Sequence, residues 1–179
     1  MDEIAHSTFF SQTSKGRIKF MKELIKSFGF AFQGVFTAIT KERNMRIHIV
    51  CMIYMFFFLF AFDFFEITRT QTAILLVACG LVIGSELINT AIEAVVDMHG
   101  EEHTKYGKIA KDCAAGAVLV FAIFSVLCGI AIMYQPTAFA LLFEYFIANP
   151  VAIVLFAISV IIFTIFIFKG FSFKNKENK

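Results

Sequence analysis

Four long apolar runs constrain this chain more than any other feature of its sequence. They cover residues 47–65, 70–97, 113–134 and 151–168. Each has about 18 residues or more, and at a rise of ~1.5 Å per residue a helix of that length crosses a hydrocarbon core of ~30 Å. The composition agrees, because 59% of the 179 residues are hydrophobic and only 17% are charged, unlike a typical soluble domain. We therefore predict an all-α integral membrane protein with four transmembrane helices.

The distribution of lysine and arginine predicts the orientation of these spans. If the N-terminus lies in the cytoplasm and the chain crosses four times, 15 of the 16 basic residues are cytoplasmic and only Arg69 lies outside. Cytoplasmic loops of membrane proteins carry such an excess. We predict a multi-pass protein of the cell membrane (inner or plasma membrane) with both termini in the cytoplasm. The net charge of +2 is too small to indicate nucleic-acid binding.

Residues 15–40 have the pattern of an amphipathic helix lying on the membrane surface. Apolar residues recur at spacings of three and four, while lysines mostly occupy other sides of the helix. The apolar positions are Ile18, Met21, Ile25, Phe28 and Phe32, and the lysines are Lys15, Lys19, Lys22 and Lys26. We expect anionic lipid headgroups as partners of this helix and of the basic tail 169–179. Packing of the helix against protein is the alternative. Residues 1–14 are predicted to be flexible.

The second apolar run contains a stripe of polar residues. At 100° per residue, Glu86, Asn89, Glu93 and Asp97 fall within about 80° of one another, and they cover about 16 Å along the helix axis. An ionisable group inside a membrane costs several kcal/mol on insertion scales and usually marks function. The next apolar run begins beside a second polar pair, Lys111 and Asp112.

Three interpretations of the stripe are open from the residues alone. In the first, the polar groups bond neighbouring helices. In the second, they form the path of a proton-coupled carrier or channel. The third interpretation is an enzyme acting on a lipid, with Glu93 and Glu42 holding Mg²⁺, Lys111 stabilising phosphoryl charge and Glu86 serving as base. The carrier interpretation is weakened because the sequence shows no inverted repeats or Gly/Pro-broken helices.

Three segments resemble the prokaryotic diacylglycerol kinase family of small membrane lipid kinases. They are "ELINTAIEAVVD" (86–97), "KIAKDCAAGAVLV" (108–120) and "ERNMRIH" (42–48), and the likeness extends over about 110 residues, 22–134. The sequence is most similar to the Gram-positive branch, whose members phosphorylate undecaprenol. The resemblance implies a homotrimer with a surface helix and three spans in each subunit, and ATP as phosphoryl donor.

The resemblance also implies roles for individual residues. Glu86 takes the position of the general base and Asn89 lies beside it as a substrate-positioning residue, while Glu93 and Glu42 take the metal-binding positions. Nucleotide contacts are implied for Asp97, Lys111 and Asp112, and more weakly for Glu101 and His103. His48 stands where some relatives carry an acidic residue, so no role is transferred to it.

Residues 15–134 are therefore interpreted as a membrane lipid kinase domain. Residues 135–168, predicted as an external loop and an extra span, have no counterpart in the three-helix core of the family. We predict an ATP- and Mg²⁺-dependent lipid kinase that phosphorylates undecaprenol in preference to diacylglycerol.

Overall fold

The computed structural model describes residues 2–98 and 104–170, with side chains described for residue 17 and from residue 19 onward. Six α-helices make up this part of the chain, and it contains no strand. They are α1 (Asp2–Lys41), α2 (Arg43–Ala61), α3 (Arg69–Asp97), α4 (Lys105–Met133), α5 (Pro136–Ala148) and α6 (Pro150–Lys169). Four of them, α2, α3, α4 and α6, are long and apolar enough to span a membrane. The predicted all-α membrane fold with four spans is confirmed, whereas the trimer stays a prediction.

Helix α1 begins earlier than expected. Residues 2–14, predicted to be a flexible N-terminal segment, have helical backbone continuous with the predicted surface helix. The physical reason is that neither glycine nor proline occurs before Gly16 to interrupt it. The flexibility of the segment and the placement of the helix on lipid stay predictions.

The chain divides into two compact units, Met1–Thr37 and Ala38–Lys179. In the first unit the large apolar side chains of Met21, Ile25, Phe28 and Phe32 are exposed. The Lys26 ammonium group lies 5.6 Å from the centre of the Phe30 ring, a cation–π contact. The second unit contains the four spans and every polar group considered below.

A single extended residue separates α1 from α2. Glu42 has φ −93° and ψ 120°, and it occupies the N-cap position of α2. Its backbone N–H still donates to the Ala38 carbonyl at 2.8 Å, so the chain bends with little loss of hydrogen bonding. The first span therefore starts at Arg43, and the carboxylate of Glu42 is placed at its mouth.

The loop predicted between the second and third spans is partly helical. Helix α4 begins at Lys105, because the Thr104 hydroxyl caps it by accepting from the Gly107 N–H at 3.0 Å. Lys111 and Asp112, expected at the end of a loop, thus lie within the first turns of α4. The end of the bundle at which α2 and α4 begin and α3 and α6 end is called the polar end below.

The predicted external loop after the third span is also helical. Pro136 starts α5 and Pro150 starts α6, and proline is favoured at the first helical position because it has no N–H that needs a partner. At 13 residues α5 is about 20 Å long, too short to cross a bilayer. Residues 136–148, predicted as part of a loop, therefore form a short helix that leads into the fourth span.

The end opposite the polar end is held by an apolar cluster and one amide side chain. The buried members of the cluster are Leu59, Phe65, Leu75, Ile132 and Ala138. The Gln135 side chain accepts from the Glu66 N–H and donates to the Glu66 carbonyl, both at 3.0 Å. These two bonds join the α4–α5 turn to the connection between α2 and α3.

Gln135→Ala is expected to lower stability by about 1 kcal/mol, the usual net worth of a lost hydrogen-bond pair at a partly exposed site. In a chain of this size the melting temperature in detergent should then fall by roughly 2–4 °C, with activity unchanged. Asn149→Ala is the matched control, because the Asn149 amide donates to the Tyr145 carbonyl of the adjoining helix, a bond between residues four apart. An equal loss in both variants would contradict the joining role of Gln135.

Candidate active site

A polar cavity of about 320 Å³ opens between α2, α3 and α4 near the polar end. One wall is apolar and belongs mainly to α4. The polar residues that line the cavity are Glu42, Asn44, His48, Glu86, Asn89 and Glu93. Four of these six were predicted as site residues, and the structure brings those four together.

Glu86 is the most buried of these groups. Its side chain is only 1% exposed, and its Oε1 atom has no hydrogen-bond partner in the described part of the chain. The nearest basic atom is His48 Nε2, 3.6 Å from Oε1. Burying a carboxylate without full compensation costs free energy, so a chain retains such a group where its chemistry is used.

Asn89 orients Glu93 one helical turn further along α3. The Asn89 amide Nδ2 donates to Glu93 Oε1 at 2.9 Å, the contact expected for residues four apart on a helix. Asn89 Oδ1 is buried and has no partner within the described residues. Asn89 Oδ1 and the hydrogen-bonded Glu93 carboxylate are therefore both available at the cavity.

Glu42 approaches Glu93 from the break between α1 and α2. Burial raises the pKa of the Glu42 carboxyl, and the negative charge of Glu93 raises it further. The guanidinium of Arg46 and then the ammonium of Lys41 act in the opposite direction. Two carboxylates that repel each other in one cavity are a suitable pair for a shared cation.

These oxygen donors fit Mg²⁺. Mg²⁺ commonly uses one or two carboxylates, several waters and the phosphates of a substrate. Across the described ranges, no group of three or more His, Cys, Asp and Glu side chains is placed to hold a metal on its own. Two carboxylates alone would fill only part of the coordination shell of such an ion.

The other predicted residues that the structure describes do not line the cavity. Lys111 on α4 forms an ion pair with Asp97 on α3, one helical turn beyond Glu93. The side chain of Asp97 is 60% exposed, and Asp112 is exposed as well. Glu101 and His103 lie outside the described residues. The polar stripe therefore divides into a buried part and an exposed part.

The structure adds two residues to the site that the sequence interpretation did not assign. Asn44 and His48 line the cavity. Arg46 is buried one helical turn after Glu42 but does not line the cavity. Asn44 and His48 are four residues apart, so helical periodicity places them on one face of α2. That spacing was the available signal for these two.

A second cavity of about 340 Å³ adjoins the polar one and runs deeper into the bundle. Ile47, His48 and Ala122 line both cavities. The other lining residues are Cys51, Met52, Met55, Cys79, Val82, Ile83, Ser125, Val126 and Gly129. A molecule with a polar head and a hydrocarbon tail matches this change of lining.

Comparison with known proteins gives a consistent set of relatives. The family described as prokaryotic diacylglycerol kinase matches residues 29–133. The chain is 39% identical over 114 residues to a diacylglycerol kinase of Synechocystis sp., an alignment that covers 63% of either chain and so less than two thirds of that relative. It is 35% identical over 121 residues to an undecaprenol kinase of Bacillus subtilis, covering 66% of this chain and 94% of that protein. It is 33% identical over 104 residues to a diacylglycerol kinase of Escherichia coli, covering 58% and 83% respectively.

Proposed function

Because the chain belongs to the prokaryotic diacylglycerol kinase family and is by that membership a lipid kinase, we propose that it phosphorylates the hydroxyl of a membrane lipid with ATP and Mg²⁺. The observation that carries the proposal is the buried carboxylate of Glu86 in the polar cavity, whose Oε1 has no hydrogen-bond partner among the described residues and lies 3.6 Å from His48 Nε2. His48 lines both the polar cavity and the apolar one that adjoins it. A lipid alcohol has a polar hydroxyl at the end of an apolar chain, so the two adjoining cavities match its two parts.

The transfer needs a base that deprotonates the lipid hydroxyl and a γ-phosphorus that the hydroxyl oxygen can reach. Glu86 accepts the proton of the lipid hydroxyl, and the hydroxyl oxygen forms a bond to the γ-phosphorus of ATP. The bond from that phosphorus to the β–γ bridging oxygen breaks, and ADP leaves. General bases of this kind contribute about 10²- to 10⁴-fold to rate.

Glu42 and Glu93 would hold Mg²⁺ on the phosphates. The ion would supply neutralisation of the charge on the β- and γ-phosphates, on which phosphoryl transfer depends. Asn89 keeps the Glu93 carboxylate in place and offers Oδ1 to the lipid hydroxyl or to a water. The exposed pair Lys111 and Asp97, with Asp112, is proposed to contact the nucleotide beyond the metal.

Undecaprenol is the preferred lipid in this proposal, with diacylglycerol second. Relatives named for either substrate are similar to the chain, and the undecaprenol kinase is the one aligned over 94% of its length. We further propose that the polar end faces the cytoplasm, because the basic residues concentrate there.

A homotrimer on an anionic membrane completes the proposal. The family resemblance implies three subunits, and the exposed basic and apolar faces of α1 suit anionic headgroups. The molecular mass of the complex in detergent, corrected for bound detergent, tests the number of subunits directly.

The proposed activity is tested with γ-labelled ATP, Mg²⁺ and purified protein in detergent, with undecaprenol and diacylglycerol in separate reactions. Labelling of undecaprenol at a higher kcat/KM supports the proposal as stated. Higher kcat/KM with diacylglycerol would retain the kinase and overturn the preference. Labelling of neither lipid by folded protein would overturn the function.

His48→Ala is expected to lower kcat about tenfold with little change in KM for ATP, because the variant removes the basic group nearest to Glu86. Steady-state kinetics with lipid in excess measures this. Tyr54→Phe, on the same helix but outside both cavities, is the control and should keep wild-type kcat. An unchanged kcat in His48→Ala would show that Glu86 works without this neighbour.

A further inference from the structure

Arg46 is a buried cation with an unusual set of partners. Its side chain lies in the first turns of α2, and the residue is only 6% exposed. In the described part of the chain no carboxylate forms an ion pair with it. Its guanidinium instead donates to backbone carbonyls of two other helices.

These carbonyls come from the ends of α1 and α6. Arg46 Nη1 donates to the carbonyls of Ile39 at 2.9 Å and Thr40 at 3.0 Å, and Nε donates to that of Ile167 at 3.0 Å. The last four carbonyls of a helix have no intrahelical partner, and the C-terminus carries the negative end of the helix dipole. A planar guanidinium can serve two such ends at once, which a lysine ammonium does less well.

Gly170 makes room for this arrangement at the end of α6. Its φ is +60°, and a Cβ atom there would lie 3.2 Å from both Cζ and Nη1 of Arg46. Side chains other than glycine rarely adopt this backbone conformation. The glycine thus lets the chain pass directly over the guanidinium.

Arg46 also lies one turn from Glu42. Its backbone N–H donates to the Glu42 carbonyl at 3.4 Å. Arg46 follows the bend at Glu42, and its guanidinium binds carbonyls at the end of α1 that precede the bend. Through Ile167, 121 residues away in sequence, it is tied to the fourth span.

We propose that Arg46 is a positioning residue through which the fourth span fixes the bend between α1 and α2 and so holds Glu42 at the polar cavity. The role of Glu42 in this statement rests on the proposed function, whereas the tie itself does not. The region that matches the family covers residues 29–133, so it includes Arg46 but not α6. The fourth span thus acts on the site as well as anchoring the chain.

The variants are Arg46→Gln, Arg46→Lys and Gly170→Ala in the full chain. Tyr54→Phe is the matched control, because the hydroxyl of Tyr54 is hydrogen-bonded to that of Ser159 at 2.9 Å and so joins α2 to α6 away from the bend. Two readouts are taken on folded protein. They are hydrogen exchange of residues 39–46 and the Mg²⁺ concentration that gives half-maximal rate.

We expect Arg46→Gln to speed exchange at residues 39–46 at least tenfold and to raise the half-saturating Mg²⁺ concentration five- to tenfold, with kcat within twofold. Gly170→Ala should shift both in the same direction by less, and Arg46→Lys should fall between Gln and wild type. Tyr54→Phe should shift neither.

Unchanged exchange in Arg46→Gln and Gly170→Ala would overturn the tie. Faster exchange with an unchanged Mg²⁺ requirement would overturn the positioning of Glu42. If the protein phosphorylates no lipid, the exchange experiment still decides the tie, so failure of the proposed function is distinguishable from failure of this inference.

Discussion

Replacing Glu86 with glutamine is expected to lower kcat by at least about 10³-fold, within the range that a general base contributes. Glutamine has the same shape but cannot accept the proton of the lipid hydroxyl. The KM for ATP should change less than threefold, because the proposed nucleotide contacts lie at the other end of the stripe, near Lys111. Single-turnover and steady-state rates with labelled ATP measure the loss.

The same variant should be at least as stable as the wild type. Glu86 Oε1 is buried without a hydrogen-bond partner in the described residues, and a neutral amide is less costly to bury than a carboxylate. A melting temperature equal to or above that of the wild type, together with lost turnover, separates a chemical role from a structural one. Glu66→Gln, at the opposite end of the bundle, is the control and should keep full activity. Activity within tenfold of wild type in Glu86→Gln would remove Glu86 as the base.

Glu93→Gln is expected to weaken Mg²⁺-dependent activity by about 10- to 100-fold at low Mg²⁺, the range seen even for groups that support metal ligands. The glutamine oxygen still accepts from Asn89, so the local geometry is kept while one negative charge is lost. High Mg²⁺ should restore part of the rate, which loss of a base would not allow. Titration of activity against Mg²⁺ at fixed ATP measures the shift.

Glu42→Gln should behave in the same way, and the double variant should lose less than the sum of the two single effects, because both residues would share one ion. Asp63→Asn, in the connection between α2 and α3, is the control. Additive effects of Glu42→Gln and Glu93→Gln on Mg²⁺ affinity would contradict a shared ion. They would show that the two carboxylates act independently of each other.

The buried half of the site could be predicted from local periodicity. Glu86, Asn89 and Glu93 are spaced at three and four residues, so any helix must present them on one face. Asp97 follows the same spacing, yet it pairs with Lys111 outside the cavity, because Thr104 starts α4 early enough to bring Lys111 alongside. The approach of Glu42 was expected from the lipid-kinase interpretation and the family resemblance, since nothing in its spacing to α3 requires it.

The partners of Arg46 could not be predicted from the sequence. In the sequence it is one of many basic residues near a membrane entry, and neither its charge nor its place in the segment 42–48 gives it a role. In the structure its partners are carbonyls of Ile39, Thr40 and Ile167, and backbone carbonyls carry no mark in a sequence pattern. Gly170, whose lack of a Cβ leaves room for the Arg46 guanidinium, likewise cannot be recognised from the sequence, because its role depends on its positive φ.

The sequence by itself determined the number of spans and the polar face of α3. These follow from the cost of placing polar groups in lipid and from the 3.6-residue repeat, which act within one segment. Only the tertiary structure decided which polar groups meet, how the fourth span reaches the bend at Glu42 and where the polar cavity gives way to an apolar one. Those outcomes depend on contacts between residues far apart in the chain, where packing, helix ends and backbone conformation act together.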